Sequence, residues 1–453
     1  MSIAITNGII LTLDEARRVY DPGYVVVEGS QIQRIGEGRL PEETLALVDQ
    51  VIDAENMLVM PGMVNAHTHL FQTFIRGLGD DLPLYEWLER YIWPVAAEMT
   101  VYEAKLSALI GLVENIRSGA TAVIDNQYVH NSPEMDDVFC RAADELGIRY
   151  LMARGWTDRN YHPAFLEKTD AIMDHLGDLV SRWNSRPSGR VRVEFGPLSH
   201  AKVSLESMQR AFALTQRWGV GLHMHNSETR GEVEECIQET GLRPVEWLDR
   251  VGCLGPQTQV VHAVWLSDHE LDLIADRGAT VVHCPVSNMY LASGVARIPE
   301  MVQRGIPVAL ATDGPGSNNN QDMVETLKTT ALLHKVSTLN ARVFVPEDIL
   351  WMACHGGAQA FGQPELIGSL EAGKQADVVL VDLNSAFAVP VHRPMSALVF
   401  SLNGGNVDTV LIAGQVVMRG KKILVVDEPA LLQECREAGV ALVQRVKPLP
   451  VAQ

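Results

Sequence analysis

Between Pro61 and Gly362 the chain repeats one pattern, a short apolar run followed by a longer stretch of helical periodicity. "TAVIDN" precedes "SPEMDDVFCRAADELG", "RVEFGP" precedes "SLESMQRAFALTQRWG", and "VGLHMH" precedes "RGEVEECIQETG". "TQVVHA", "TVVHCP" and "PVALATDG" each open a further unit. Connections this short make the strands parallel, with helices outside them. Counting "MVNAHTHL", the expected strands are 64–69, 121–125, 149–153, 191–195, 220–225, 259–262, 280–283 and 307–312. Eight such units fit a (β/α)8 barrel, an α/β fold, better than an open doubly wound sheet. No glycine-rich phosphate fingerprint follows the first strand, which weakens a dinucleotide fold further.

The ends of the chain read differently. "AITNGIILTL" and "GYVVVEGSQIQRIGEG" are short strands and turns, and the same texture returns in "ADVVLVDL" and "VDTVLIAGQVVMRGKKI". We expect residues 1–60 and 363–453 to form a small β-sandwich domain with a C-terminal helix, and residues 61–362 to form the barrel. The apolar fraction of 47% and charged fraction of 21% suit a soluble globular chain, and the net charge of −19 argues against nucleic-acid or anionic-membrane partners. The N-terminus lacks signal-peptide features, and no apolar run is long enough to span a bilayer. Six scattered cysteines without a CxxC read as reduced thiols, so the expected location is cytoplasmic. A small-molecule substrate and a homo-oligomer, dimer or tetramer, complete the expectation.

On this reading polar residues crowd one rim, at the C-terminal ends of the strands. His67 and His69 end the first, His223 and His225 the fifth, His262 the sixth and His283 the seventh; Asp313 follows the eighth. That rim carries the chemistry in barrels of this kind. Each residue alone has a plainer reading: a surface pair, a hydrogen-bonded core histidine (His223 in particular), or a turn aspartate before Gly314. Gathered at one rim they are harder to explain so. His67, His69, His225 and Asp313 supply four groups for one divalent ion, and Glu228, in "HNSET", can reach a water there as a proton shuttle.

"PGMVNAHTHL", "HNSET", "VVHA", "HCPVSNMYLASG", "ATDGPGSNNN" and "IGSLEAGKQADVVLVDL" together resemble the amidohydrolase superfamily. The likeness is to its mononuclear-metal aminohydrolase branch and covers nearly the whole chain. The resemblance implies one Zn²⁺, with Fe²⁺ as the alternative, on His67, His69, His225 and Asp313. It also implies Glu228 as general acid/base, His262 orienting the attacking water, Asp313 moving a second proton, and His283 beside the substrate.

The implied reaction is hydrolytic deamination of a small N-heteroaromatic amine. Gln72, in the segment after the first strand, is placed to pair with a ring edge or to be an exposed helical residue. Trp87 either stacks on substrate or fills core, and Arg154 either reads a carbonyl or closes a salt bridge. Ala96 and the turn "GPLSHAK" depart from nucleoside-deaminating relatives, so a free heterocycle ranks first, ahead of adenosine-type nucleosides and of s-triazine dechlorination. The cytidine-deaminase pattern is absent.

Overall fold

The computed structural model describes residues 2–446. Eight parallel strands stand side by side in sequence order: Met63–Thr68, Ala120–Gln127, Arg149–Trp156, Val191–Pro197, Leu222–Asn226, Thr258–His262, Thr280–His283 and Val308–Leu310. Both faces of these strands are buried, hence the nearly continuous apolar runs. The inner face is built from small side chains, among them Ala66, Ala122, Ala153, Val261, Val282 and Ala309. Larger residues such as Met152, Phe195 and Met224 point outward into the helices.

The eighth strand is shorter than expected, because Asp313 leaves it through a left-handed backbone turn (φ 63°). The seam to the first strand is therefore joined mainly by side chains. The Asp313 N–H donates to the His67 carbonyl at 3.0 Å. The Asn65 amide accepts from the Thr312 N–H at 3.0 Å and donates to the Thr312 hydroxyl at 2.8 Å. Residues 352–360 pack against the starts of these two strands, and glycine is what lets them approach. A Cβ on Gly356 would lie 1.9 Å from the Val308 carbonyl oxygen.

The termini meet in a second, nine-stranded sheet, where Met57–Pro61 pairs antiparallel with Val378–Asp382. Alternation gives this sheet two apolar faces. Val59, Val378 and Leu380 enter its own core with Ile3, Ile5 and Val25. Leu58, Met60, Val379 and Val381 face the barrel core. The C-terminal helix, Glu428–Arg445, docks on Val101–Arg117 through Arg117–Glu428 and Arg445–Glu103 ion pairs. Among the described residues, no helix is long and apolar enough to cross a membrane, and all six cysteines are free thiols.

Candidate active site

His67, His69, His225, His262 and Asp313 gather at the C-terminal rim of the barrel. The nearest donor atoms of His67, His69 and Asp313 lie within 4.8 Å of one another, as do those of His67, His225 and His262. Simple alternation would not have put His67 there, because Val64 and Ala66 already line the barrel's inner face. A register shift sets three steps of the first strand, Asn65 to Thr68, against two of the second, Val123 to Asp125. This bulge turns His67 inward, while Asn65 and Thr68 bond outward to Asn115 and Gln321. Ser227, His262 and Asp313 all leave their strands in left-handed conformations, strain that recurs at functional rims.

Hydrogen bonds fix which nitrogen of each imidazole carries the proton. The His69 Nδ1–H donates to the Asn126 carbonyl at 2.7 Å, and the His225 Nδ1–H to that of Leu198 at 3.1 Å. The His67 tautomer is set through a chain of side chains. The Glu194 carboxylate accepts from the Gln259 Nε2–H at 3.0 Å, which turns Gln259 Oε1 towards His223 Nδ1. Nδ1 of His223 must then donate, so its Nε2 accepts from His67 Nδ1 at 2.7 Å. All three Nε2 lone pairs thus point into one space.

Burial holds His67 and His225 well below the usual imidazole range and lowers His69 as well, so all three are neutral at pH 7. His67 Nε2 is buried without a hydrogen-bond partner, and 3.2 Å separates the Nε2 atoms of His69 and His225. Lone pairs this close repel unless a cation lies between them. Asp313 Oδ1 completes the set, 3.4 Å from His67 Nε2 and 3.5 Å from His69 Nε2. Its Oδ2 accepts from the Ser287 and Ser317 hydroxyls at 2.6 and 3.1 Å. Three imidazole nitrogens and one carboxylate oxygen fit a divalent metal of borderline character.

Glu228 and His262 stand beside this set, 3.7 Å apart between Oε2 and Nε2. Burial raises the Glu228 carboxyl above its ordinary range, partly offset by His262. Burial would lower His262, but Glu228 and Asp313 outweigh it and raise the imidazole. The Ser293 hydroxyl donates to Glu228 Oε1 at 3.1 Å, and Asn288 Oδ1 accepts from His262 Nδ1–H at 3.0 Å. A carboxyl beside an imidazole in this way can take and return a proton.

A cleft partly open to solvent lies over these groups. Gln72 and Trp87 line it. Gln72 is buried rather than exposed, and its Oε1 accepts from the Gly316 N–H at 3.2 Å, so it also holds the loop after Asp313. Arg154 takes the salt-bridge alternative: it is fully buried, pairs with Asp136 and Glu167, and does not line the cleft. His283 is a correction to the expected place beside the substrate. Its neighbour Val282 lines the barrel, so alternation sends His283 outward, its Nε2 3.1 Å from that of His334. Ala96 is buried off the cleft.

The sequence reading missed Tyr128, Tyr161, Leu198, Leu291 and Glu232, which line the cleft, and Glu194 and Gln259 beneath it. Glu194 and Gln259 had a legible signal: each is a long polar side chain beside apolar residues within a buried strand. The loop residues had none.

The amidohydrolase family profile matches residues 58–417. A 5′-deoxyadenosine deaminase of Methanobrevibacter smithii is 36% identical over 438 residues, covering 96% of this chain and 97% of that one. A 5-methylthioadenosine/S-adenosylhomocysteine deaminase of Syntrophomonas wolfei is 35% identical, covering 98% of this chain and all of that one. The structure of an adenosine deaminase from Xanthomonas campestris with bound zinc superposes with a TM-score of 0.91 at 30% identity, covering 98% of each chain. A triazine hydrolase from Arthobacter aurescens, 23% identical with a TM-score of 0.90 and coverage of 97% and 99%, shares the fold. With the profile spanning both the barrel and the strands that flank it, the chain belongs to the amidohydrolase family, in its branch of metal-dependent hydrolytic deaminases.

Proposed function

We propose that this enzyme removes the 6-amino group of adenine in a nucleoside whose 5′ end is apolar, using one Zn²⁺ on His67, His69, His225 and Asp313. The observation that carries the reaction is the Glu228–His262 pair on the wall of the cleft into which three imidazole lone pairs converge. When bound, the metal supplies a water acidic enough to attack near neutral pH. Glu228 takes a proton from the attacking water and delivers it to the ring nitrogen, so negative charge does not build up on the base. His262 lies against Glu228 and orients the water. Asp313, its Oδ2 held by two hydroxyls, takes the second proton and passes it to the departing amine. Ammonia leaves and the ring keeps the oxygen.

Several features support the substrate class. Relatives 35–37% identical over nearly the full chain are named for 5′-deoxyadenosine or 5-methylthioadenosine/S-adenosylhomocysteine. The cleft offers Leu84, Leu88, Trp87, Leu198 and Leu291 to an apolar substituent. The nucleoside therefore stands above the free heterocycle that the sequence ranked first. Ala96 weighs little against it, being buried off the cleft.

The test is ammonia release across 5′-deoxyadenosine, 5′-methylthioadenosine, adenosine, adenine, guanine and an amino-s-triazine. A free base or triazine giving the highest kcat/KM overturns this reading. We also infer a homo-oligomer, since Met289, Leu332, Val336 and Leu339 expose an apolar face of the kind subunits cover. Light scattering would decide that. The free cysteines support a reducing, cytoplasmic setting. The division at residues 61 and 362 is proposed as the domain boundary.

A further inference from the structure

One carboxylate in the cleft is left over once the reaction is accounted for. Glu232 lines the cleft, is 6% exposed, and lies in the first turn of the helix Arg230–Thr240, four residues beyond Glu228. Its two oxygens have different fates. Oε2 accepts from the Glu228 backbone N–H at 2.8 Å, tying Glu232 to the residue that moves the proton. Oε1 is buried and has no hydrogen-bond partner. The side chain beyond it does not provide one: His200 Nδ1 is 3.9 Å away, and both His200 ring nitrogens are themselves unpartnered. His200 comes from "GPLSHAK", the turn after the fourth strand; Ser199 and Lys202 of the same turn line the cleft.

An unpaired carboxylate oxygen buried beside the cleft costs free energy unless a donor reaches it with the ligand. Its neighbours do not supply that donor. The Lys202 ammonium lies 4.0 Å from Glu235 and 5.4 Å from the Tyr85 ring centroid, at the same side of the cleft. Burial, followed by the charge of Glu228, pushes the Glu232 carboxyl up to about 7 against the single backbone donor it has. Glu228 and Glu232 line the same cleft, so a ring seated at Glu228 leaves Glu232 within the space its substituent can occupy. In a nucleoside that substituent is the sugar.

We propose that Glu232 is a specificity-determining residue whose Oε1 accepts a hydrogen bond from a ribose hydroxyl of the substrate, with the "GPLSHAK" turn forming the floor of the sugar site. This rests on the nucleoside reading above and adds to it the group that distinguishes a ribose from a sugar without hydroxyls.

The experiment compares adenosine with 2′,3′-dideoxyadenosine, and includes adenine, on wild-type holoenzyme and on Glu232→Gln. Glutamine can still accept from the Glu228 N–H with its carbonyl, which keeps the local backbone, and it then presents an NH₂ where the carboxylate presented an acceptor. Wild type is expected to prefer adenosine, and Glu232→Gln to reduce the adenosine-to-dideoxyadenosine ratio of kcat/KM by about tenfold or more, mainly through KM. A purely structural role would lower both substrates together. A ratio unchanged in the variant, with both nucleosides turned over, overturns the assignment of Glu232 and leaves the nucleoside reading standing. Turnover of adenine with neither nucleoside accepted overturns the nucleoside reading, and this assignment with it.

Discussion

His67 Nδ1 lies 2.7 Å from His223 Nε2, so the imidazole proposed as a metal ligand is held from behind by a second imidazole. His223 is itself bonded to Gln259, and Gln259 to Glu194. The Glu194 carboxyl, two side chains further down, thus decides which nitrogen of His67 is free. Such outer partners fix the tautomer and orientation of a ligand and raise its basicity.

Gln259→Leu should therefore weaken metal binding without touching the metal. Loss of a partner of this kind is typically worth about 10- to 100-fold in affinity. Competition with a chromogenic chelator measures it, and circular dichroism checks the fold. An unchanged dissociation constant would count against the chain of tautomers.

Glu228→Gln should keep the metal and lose about 10²- to 10⁴-fold in kcat, since an amide cannot carry the proton. Metal content by elemental analysis and turnover under saturating substrate give the two readings. Near wild-type turnover in a metal-replete variant would remove Glu228 from its role.

Glu194 should leave a mark on stability against pH. Burial pushes its carboxyl up to about 8 from an ordinary 4.5. The folded chain keeps this proton across a range in which the unfolded chain has released it. The group's contribution is full below pH 4.5 and declines as pH rises to about 8. Glu194→Gln does not titrate, so the wild-type advantage over it should shrink between pH 5 and 8. Urea unfolding at fixed metal loading tests this, and a difference flat in pH would refute it.

The same substitution should act in opposite directions at two glycines. A Cβ at Gly356 meets the Val308 carbonyl at 1.9 Å, backbone that can move only by shifting a barrel strand. Gly356→Ala should cost about 1–3 kcal/mol. Gly231, in the helix Arg230–Thr240, would meet only Thr229 Oγ1 at 3.9 Å, so Gly231→Ala should gain about 0.5–1 kcal/mol. Denaturant midpoints of the two variants should fall on opposite sides of wild type.

The strands were legible because both their faces are buried, which writes each as an apolar run of the right length. The rim was legible because His67, His69, His225, His262 and Asp313 all end such runs. The bulge between Asn65 and Thr68 was not, since nothing local in "NAHT" marks an extra residue; the pairing with Val123 and Asp125 sets it. Nor was the outward turn of His283, which follows from the register of Val282 within the closed barrel. Arg154 had two readings, and only the arrival of Asp136 and Glu167 from separate segments chose between them.

The seam described above has a consequence for assembly in time. His67 and Asp313 face each other across the one junction where the ring must close, and the Asp313 N–H bonds the His67 carbonyl there. A nascent chain halted before residue 313 holds three of the four proposed ligands and no closed ring. On the proposed ligand set, metal capture would be a clasp fastened when first and last strands meet, and tight binding would report that the ring has closed.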